Sequence, residues 1–134
     1  MLVTVVLSAL VVLSALLVSE AAAEPVQFRS PSGNIGCYIS ASHVRCDIGA
    51  RDWDVRPDPR CELDYGHAVS VGRRGRAVFV CAGDTVLGAE LRLAYGDAIA
   101  RGRMRCRSSR SGMNCRNRRN GHGFFLSRER VRLF

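Results

Sequence analysis

Residues 106–115 read CRSSRSGMNC and residues 37–46 read CYISASHVRC, so two segments each begin and end with a cysteine nine positions apart. If each segment is a β-hairpin with its turn in the middle, its two cysteines face each other across the strand pair. Directly opposed residues of antiparallel strands have Cα atoms about 4.5–5.5 Å apart, a separation that a disulfide spans. The sequence therefore predicts two disulfide-bonded hairpins, Cys37–Cys46 and Cys106–Cys115.

The remaining cysteines, Cys61 and Cys81, are predicted to form a third disulfide by elimination. An internal duplication also links the two hairpins, since Ile35 and Met104 each lie two residues before the first cysteine of their hairpin. Closed loops of about ten, ten and twenty residues each remove roughly 2.5–3.5 kcal/mol of unfolded-state entropy in the chain model. Together the three disulfides rival the net stability of an ordinary small domain.

Short stretches of alternating polarity, separated by glycine-containing turns, recur between the cysteines, and no segment keeps helical periodicity over three turns. They predict a mainly β fold, a small antiparallel sheet or barrel-like domain built from hairpins and stapled by three disulfides. Residues 77–81 are apolar on both faces, which is typical of a central strand. Residues 51–60, which carry Trp53, are predicted to form a surface loop. The predicted strands are residues 34–39, 43–48, 69–71, 76–81, 91–95, 103–107 and 123–126.

Residues 2–18 form an apolar run without charge, and three alanines at positions 21–23 follow it. This pattern predicts a signal peptide over residues 1–23 that forms a helix and is cleaved after Ala23, leaving one domain over residues 24–134. The alternative is an uncleaved anchor, although seventeen residues at roughly 1.5 Å each give about 26 Å, slightly short of a hydrocarbon core of about 30 Å. The predicted location is therefore outside the cell, secreted or in the cell envelope.

The chain has twenty arginines and no lysine, with a formal net charge of +8, and the charge is unevenly distributed. From residue 101 onward eleven arginines stand against one acid, whereas residues 24–100 carry nine arginines and ten acids. The arginines at positions 101, 103, 105 and 107 recur with period two, so they are predicted to project from one face of a strand. The alternative is that they pair with acids of the first half. The candidate binding residues are Arg103, Arg105, Arg107, Arg116, Arg118, Arg119 and His122.

Several strings resemble one known family: FRSPSGNIGC at 28–37, VRCDI at 44–48, FVCAGDT at 79–85 and GHGFFLSR at 121–128. The family consists of small exported cysteine-rich proteins of actinobacteria, mycobacteria included, and is described as a domain of unknown function. The resemblance extends over nearly the whole of residues 24–134. It implies export and a stapled fold, and it brings no activity with it.

No catalytic residue, metal or cofactor is predicted. The cysteine spacings of nine and twenty differ from the two-to-four-residue gap of common zinc sites. His122 is the histidine of most interest, because it lies between Gly121 and Gly123 and close in sequence to several arginines. The alternative hypotheses are therefore a small secreted hydrolase that uses His122, for example a nuclease, and an inhibitor of an extracellular enzyme.

The favoured hypothesis is an exported, monomeric, non-catalytic binding module whose C-terminal arginine face contacts an anionic surface. Guanidinium groups bind carboxylate and phosphate through forked hydrogen bonds. The candidate partners are an acidic polysaccharide, a lipid headgroup or an acidic protein. Nucleic acid is less favoured, because few aromatic residues alternate with the arginines before Phe124 and Phe125 and no stacking platform is evident.

Overall fold

The computed structural model describes residues 24–134, which form ten β-strands. The signal peptide predicted over residues 1–23, like its alternative as an anchor, falls outside the described residues. Between residues 24 and 134 there is no helix that could span a lipid bilayer. The strands are β1 (Val26–Arg29), β2 (Ile35–Ile39), β3 (Val44–Ile48), β4 (Asp64–Val71), β5 (Val78–Ala82), β6 (Ala98–Arg101), β7 (Met104–Ser109), β8 (Gly112–Asn117), β9 (Gly123–Leu126) and β10 (Val131–Leu133).

The strands form two antiparallel sheets of five, and within each sheet every strand pairs with its neighbours along the chain. The first sheet contains β1 to β5 and the second contains β6 to β10. Short polar turns join most of the consecutive strands within each sheet and so favour hairpins, while the longer segment 49–63 joins β3 to β4. The predicted mainly β class, the antiparallel pairing and the three disulfides are confirmed, with the strands divided between two sheets.

The structure contains the disulfides Cys37–Cys46, Cys61–Cys81 and Cys106–Cys115, the same pairs that the sequence predicts. The first and third join directly opposed residues of β2 with β3 and of β7 with β8, and in both the Cα atoms are 4.1 Å apart. β2 and β3 are the second and third strands of the first sheet, and β7 and β8 hold the same places in the second. The two cysteine hairpins of the internal duplication therefore occupy equivalent positions.

The two sheets pack face to face around one hydrophobic core, and the two hairpin disulfides meet at its centre. The Sγ atom of Cys46 lies 3.8 Å from that of Cys115, and all four cysteines of these hairpins are fully buried. Phe28 from the first sheet and Phe124 from the second are the largest side chains with no exposed surface. The two hairpin disulfides are therefore in van der Waals contact with each other and fill the centre of the core.

Two details of the predicted secondary structure are wrong. Residues 77–81 do not form a central strand, because β5 is the edge of the first sheet and Val78 is 55% exposed. Residues 91–95 are not a strand, since only Arg92 forms an isolated parallel bridge, with Arg29. The segment 51–60 is a loop as predicted, but Trp53 packs against the core and its Nε1 donates to the Ser127 carbonyl at 2.8 Å.

Candidate anion-binding face

The outer face of the second sheet is built by strict alternation along its central strands. Met104 and Cys106 of β7 point into the core, so Arg105 and Arg107 between and beyond them point outward. The same alternation in β8 places Arg116 outward, and the register sets it directly opposite Arg105. Two more arginines reach this face from the β9–β10 hairpin. We call the set the arginine face: Arg105, Arg107, Arg116, Arg130 and Arg132.

Two phenylalanine rings contact three of the five guanidinium groups of this face. The guanidinium of Arg130 lies 4.8 Å from the ring centre of Phe125. The ring of Phe134 contacts two guanidinium groups, and its centre lies 5.6 Å from that of Arg116 and 5.1 Å from that of Arg132. Cation–π contact favours these positions and leaves the N–H groups at the guanidinium edge able to donate. A shallow groove of about 450 Å³ runs between Arg105, Arg107, Arg116 and Phe125.

Among residues 24–134, no aspartate or glutamate forms a salt bridge with a member of the arginine face. The five strands of the second sheet contain no aspartate or glutamate. Across residues 24–134, one salt bridge involves an arginine after position 100, and it joins Arg128 to Asp52 at 3.5 Å. Four other acids of the first half, Asp47, Asp54, Asp58 and Asp84, pair with arginines of the first half. Because Arg105 and Arg116 are like charges in directly opposed positions, their repulsion destabilises the sheet unless an anion offsets it.

The predicted row of arginines at 101, 103, 105 and 107 on one strand is wrong. Arg101 ends β6, and Gly102 and Arg103 form the turn into β7. Gly102 adopts a φ of +53°, in the left-handed region that favours glycine, and so reverses the chain at this point. Only Arg105 and Arg107 of that row therefore lie on the strand.

The structure divides the predicted binding residues into two groups. Arg105, Arg107 and Arg116 belong to the arginine face, whereas Arg103, Arg118, Arg119 and His122 lie in the turns at the end of the second sheet where β6 meets β7. Within the second group, the Arg118 guanidinium donates to the carbonyl of Gly102 at 2.8 Å and so stabilises the β6–β7 turn.

His122 is held by backbone hydrogen bonds in the loop between β8 and β9. Its N–H donates to Oδ1 of Asn120 at 3.0 Å, and its carbonyl accepts from the N–H of Asn117 at 2.8 Å. Among the contacts of the described residues, no carboxylate bonds to its imidazole. These contacts explain why a histidine between two glycines has a fixed backbone here.

Sequence reasoning missed two members of the arginine face, Arg130 and Arg132, and also Phe134, whose ring contacts Arg116 and Arg132. For Arg132 a signal exists, since it stands between the apolar residues Val131 and Leu133 with the period-two pattern of a strand. For Phe134 the sequence holds no such signal, because its position depends on hydrogen bonds between its backbone and Gly123.

A second polar cluster lies on the outer side of the first sheet. Arg45 donates to Asp47 at 2.8 Å and to Asp84 at 3.0 Å, and the Asp47 carboxylate also accepts from the N–H of Val86. The hydrogen bond to Asp47 contributes most to raising the pKa of Arg45, and the hydrogen bond from Arg45 lowers the pKa of the Asp84 carboxyl. These contacts fasten the loop after β5 to the sheet.

Two histidines lie near Arg45. His67 and Arg45 both line a cavity of about 270 Å³, and Nδ1 of His67 lies 3.4 Å from the carbonyl oxygen of Ile48. Burial, followed by the charge of Arg45, lowers the pKa of His43 in the β2–β3 turn. The guanidinium at the centre of this cluster already has two carboxylate partners, so the cluster is best explained as a structural clamp.

Comparison with known proteins yields one match. No curated protein and no solved structure matches the chain. A family model described as "Family of unknown function (DUF6636)" matches residues 6–134, which include all ten strands, all six cysteines and the whole arginine face. The chain therefore belongs to DUF6636, a family of unknown function.

Proposed function

We propose that the protein is an exported, non-catalytic binding module whose arginine face holds an acidic polysaccharide outside the cell. The observation that carries this proposal is the convergence of five arginines on one sheet face whose strands contain no acid. Three disulfides support an oxidising location, because such bonds persist outside the reducing cytosol. Uronate carboxylates spaced along a polymer can each accept a forked hydrogen bond from a guanidinium.

A lipid surface suits the arginine face less well. Peripheral binding to membranes needs apolar area that enters the headgroup region in addition to positive charge. Among the described residues the exposed large hydrophobic side chains all come before β6, and none lies on the second sheet. They are Leu63, Val78, Leu87, Leu91 and Tyr95.

Single-stranded nucleic acid also suits this face less well. Binding of that kind depends on aromatic rings that are free to stack with bases. Phe125 is covered by the guanidinium of Arg130, and Phe134 is in contact with two guanidinium groups. The rings of the arginine face are therefore engaged within the protein.

Replacing Arg105 and Arg116 with alanine is expected to weaken binding of a soluble polygalacturonate by at least about tenfold at low salt, because two charge-assisted contacts are lost. The measurement is isothermal titration calorimetry on the full chain purified with its disulfides formed. A matched control removes two exposed arginines elsewhere, Arg60 and Arg92, with the same change in net charge. The control should bind nearly as well as the wild type.

Binding should also weaken steeply as salt rises, because exposed charges are screened within about 10 Å at 0.1 M salt. It should survive His122→Ala, because His122 is not part of the arginine face. Equal weakening in both double variants would contradict the proposal, since net charge alone would then explain the affinity. Turnover of a phosphodiester that disappears in His122→Ala would instead favour the hydrolase. Tight, salt-insensitive binding to one folded enzyme would favour the inhibitor.

A further inference from the structure

Four arginines from three separate loops line one depression at the end of the sandwich. Arg73 and Arg74 come from the loop between β4 and β5, Arg103 from the β6–β7 turn and Arg119 from the loop after β8. Asn120 completes the lining, which contains no carboxylate. The depression measures about 510 Å³ and shares no residue with the groove on the arginine face. We call these four arginines the loop cluster.

Two asparagine side chains, the buried Asn117 and the exposed Asn120, fix the loops that carry the cluster. Asn117 has no exposed surface, and its Nδ2 donates to the carbonyls of Gly72 at 3.1 Å and Arg73 at 3.2 Å. Its Oδ1 accepts from the N–H of Arg119 at 3.0 Å, and Nδ2 of Asn120 donates to the Arg73 carbonyl at 3.3 Å. The backbones of Arg73 and Arg119 are therefore tied together through one side chain. Holding like charges close together costs stability unless an anion binds between them.

We propose that the loop cluster is a binding site for a phosphate group that carries two or more negative charges. A phosphate presents three terminal oxygens and accepts forked hydrogen bonds from several guanidinium groups at once, whereas a planar carboxylate has only two oxygens. Approach from three loops suits a compact tetrahedral anion better than an extended chain of uronates. The site differs from the arginine face in its residues and ligand, so it does not depend on the proposed function.

Calorimetric titration of the disulfide-bonded full chain with pyrophosphate tests this site. Saturable binding at one site is expected for the wild type. The double substitution Arg73→Ala/Arg119→Ala should weaken it by at least about tenfold, because two forked contacts are lost. Lysine at the same two positions keeps the positive charge but cannot form the forked hydrogen bonds of a guanidinium. The affinity for pyrophosphate should therefore lie between that of the wild type and that of the alanine variant. The control Arg60→Ala/Arg92→Ala should stay within about twofold of the wild type, since its lost charges are distant and screened.

Absence of saturable binding, or equal weakening in the control, overturns the proposal. Citrate binding as tightly as pyrophosphate also overturns the proposal, because the charge of the anion, rather than the geometry of a phosphate group, would then determine the affinity. Unchanged unfolding midpoints of the variants exclude a loss through misfolding.

Sedimentation with vesicles containing phosphatidic acid separates the two sources of phosphate. Vesicle binding that needs Arg73 and Arg119 and is displaced by pyrophosphate assigns the site to a lipid headgroup. Pyrophosphate binding without vesicle binding assigns it to a free phosphate compound. Both results support the site.

Discussion

Replacing Cys37, Cys46, Cys106 and Cys115 with alanine is expected to abolish folding of this protein. Each of these two disulfides closes a loop of about ten residues and removes about 2.7 kcal/mol of unfolded-state entropy in the chain model. Their joint loss of about 5 kcal/mol is similar to the whole net stability of a small domain, about 5–15 kcal/mol. The Cys46 and Cys115 sulfurs are also in contact at the centre of the core, so truncation removes packing there as well.

Circular dichroism during urea titration of the oxidised proteins measures this effect. The variant Cys61→Ala/Cys81→Ala serves as control, because that disulfide ties an exposed loop to the edge strand β5. It should lose about 3 kcal/mol and still show a cooperative transition. An unfolding midpoint for the four-alanine variant equal to that of the wild type would show that these two disulfides do not stabilise the fold.

The substitution Asp47→Ala is expected to lower the free energy of unfolding by about 3 kcal/mol. Asp47 is 4% exposed and accepts hydrogen bonds from Arg45 and from the N–H of Val86. Its removal leaves the largely buried Arg45 without its nearest carboxylate and leaves the Val86 N–H without that acceptor. The free energy of unfolding from urea titration is the quantity to compare.

Asp84→Ala is the informative comparison because it removes the other carboxylate of the same arginine. The Asp84 side chain is 79% exposed, so water replaces much of what the contact contributes and the loss should be much smaller. A loss for Asp84→Ala as large as that for Asp47→Ala would contradict the view that the buried pair fastens the loop after β5.

The parts of the fold that the sequence predicts are those with local causes. Cys37 and Cys46 are nine residues apart with a polar turn between them, so chain geometry alone places them in opposed positions. The edge position of β5 could not be predicted in this way. Its apolar run resembles a central strand, and only the division of the strands into two sheets leaves Val78 exposed.

The sequence predicts only those members of the arginine face that follow from local alternation along a strand. Alternation along one strand places Arg105 and Arg107, but the reversal at Gly102 depends on a backbone conformation that period-two counting ignores. Phe134 joins the face through pairing with Gly123, which the sequence alone does not specify. Arg73 and Arg119 of the loop cluster are brought together by Asn117, which binds the carbonyl of Arg73 from 44 residues away along the chain.

The most direct test of the arginine face is a titration of isotope-labelled protein with polygalacturonate, followed by NMR of the arginine Nε–Hε groups. We expect the signals of Arg105, Arg116 and Arg132 to shift first and saturate together, while that of Arg60 stays in place. Shifts spread evenly over all arginines, or concentrated around Arg45 and His67, would contradict binding at the arginine face.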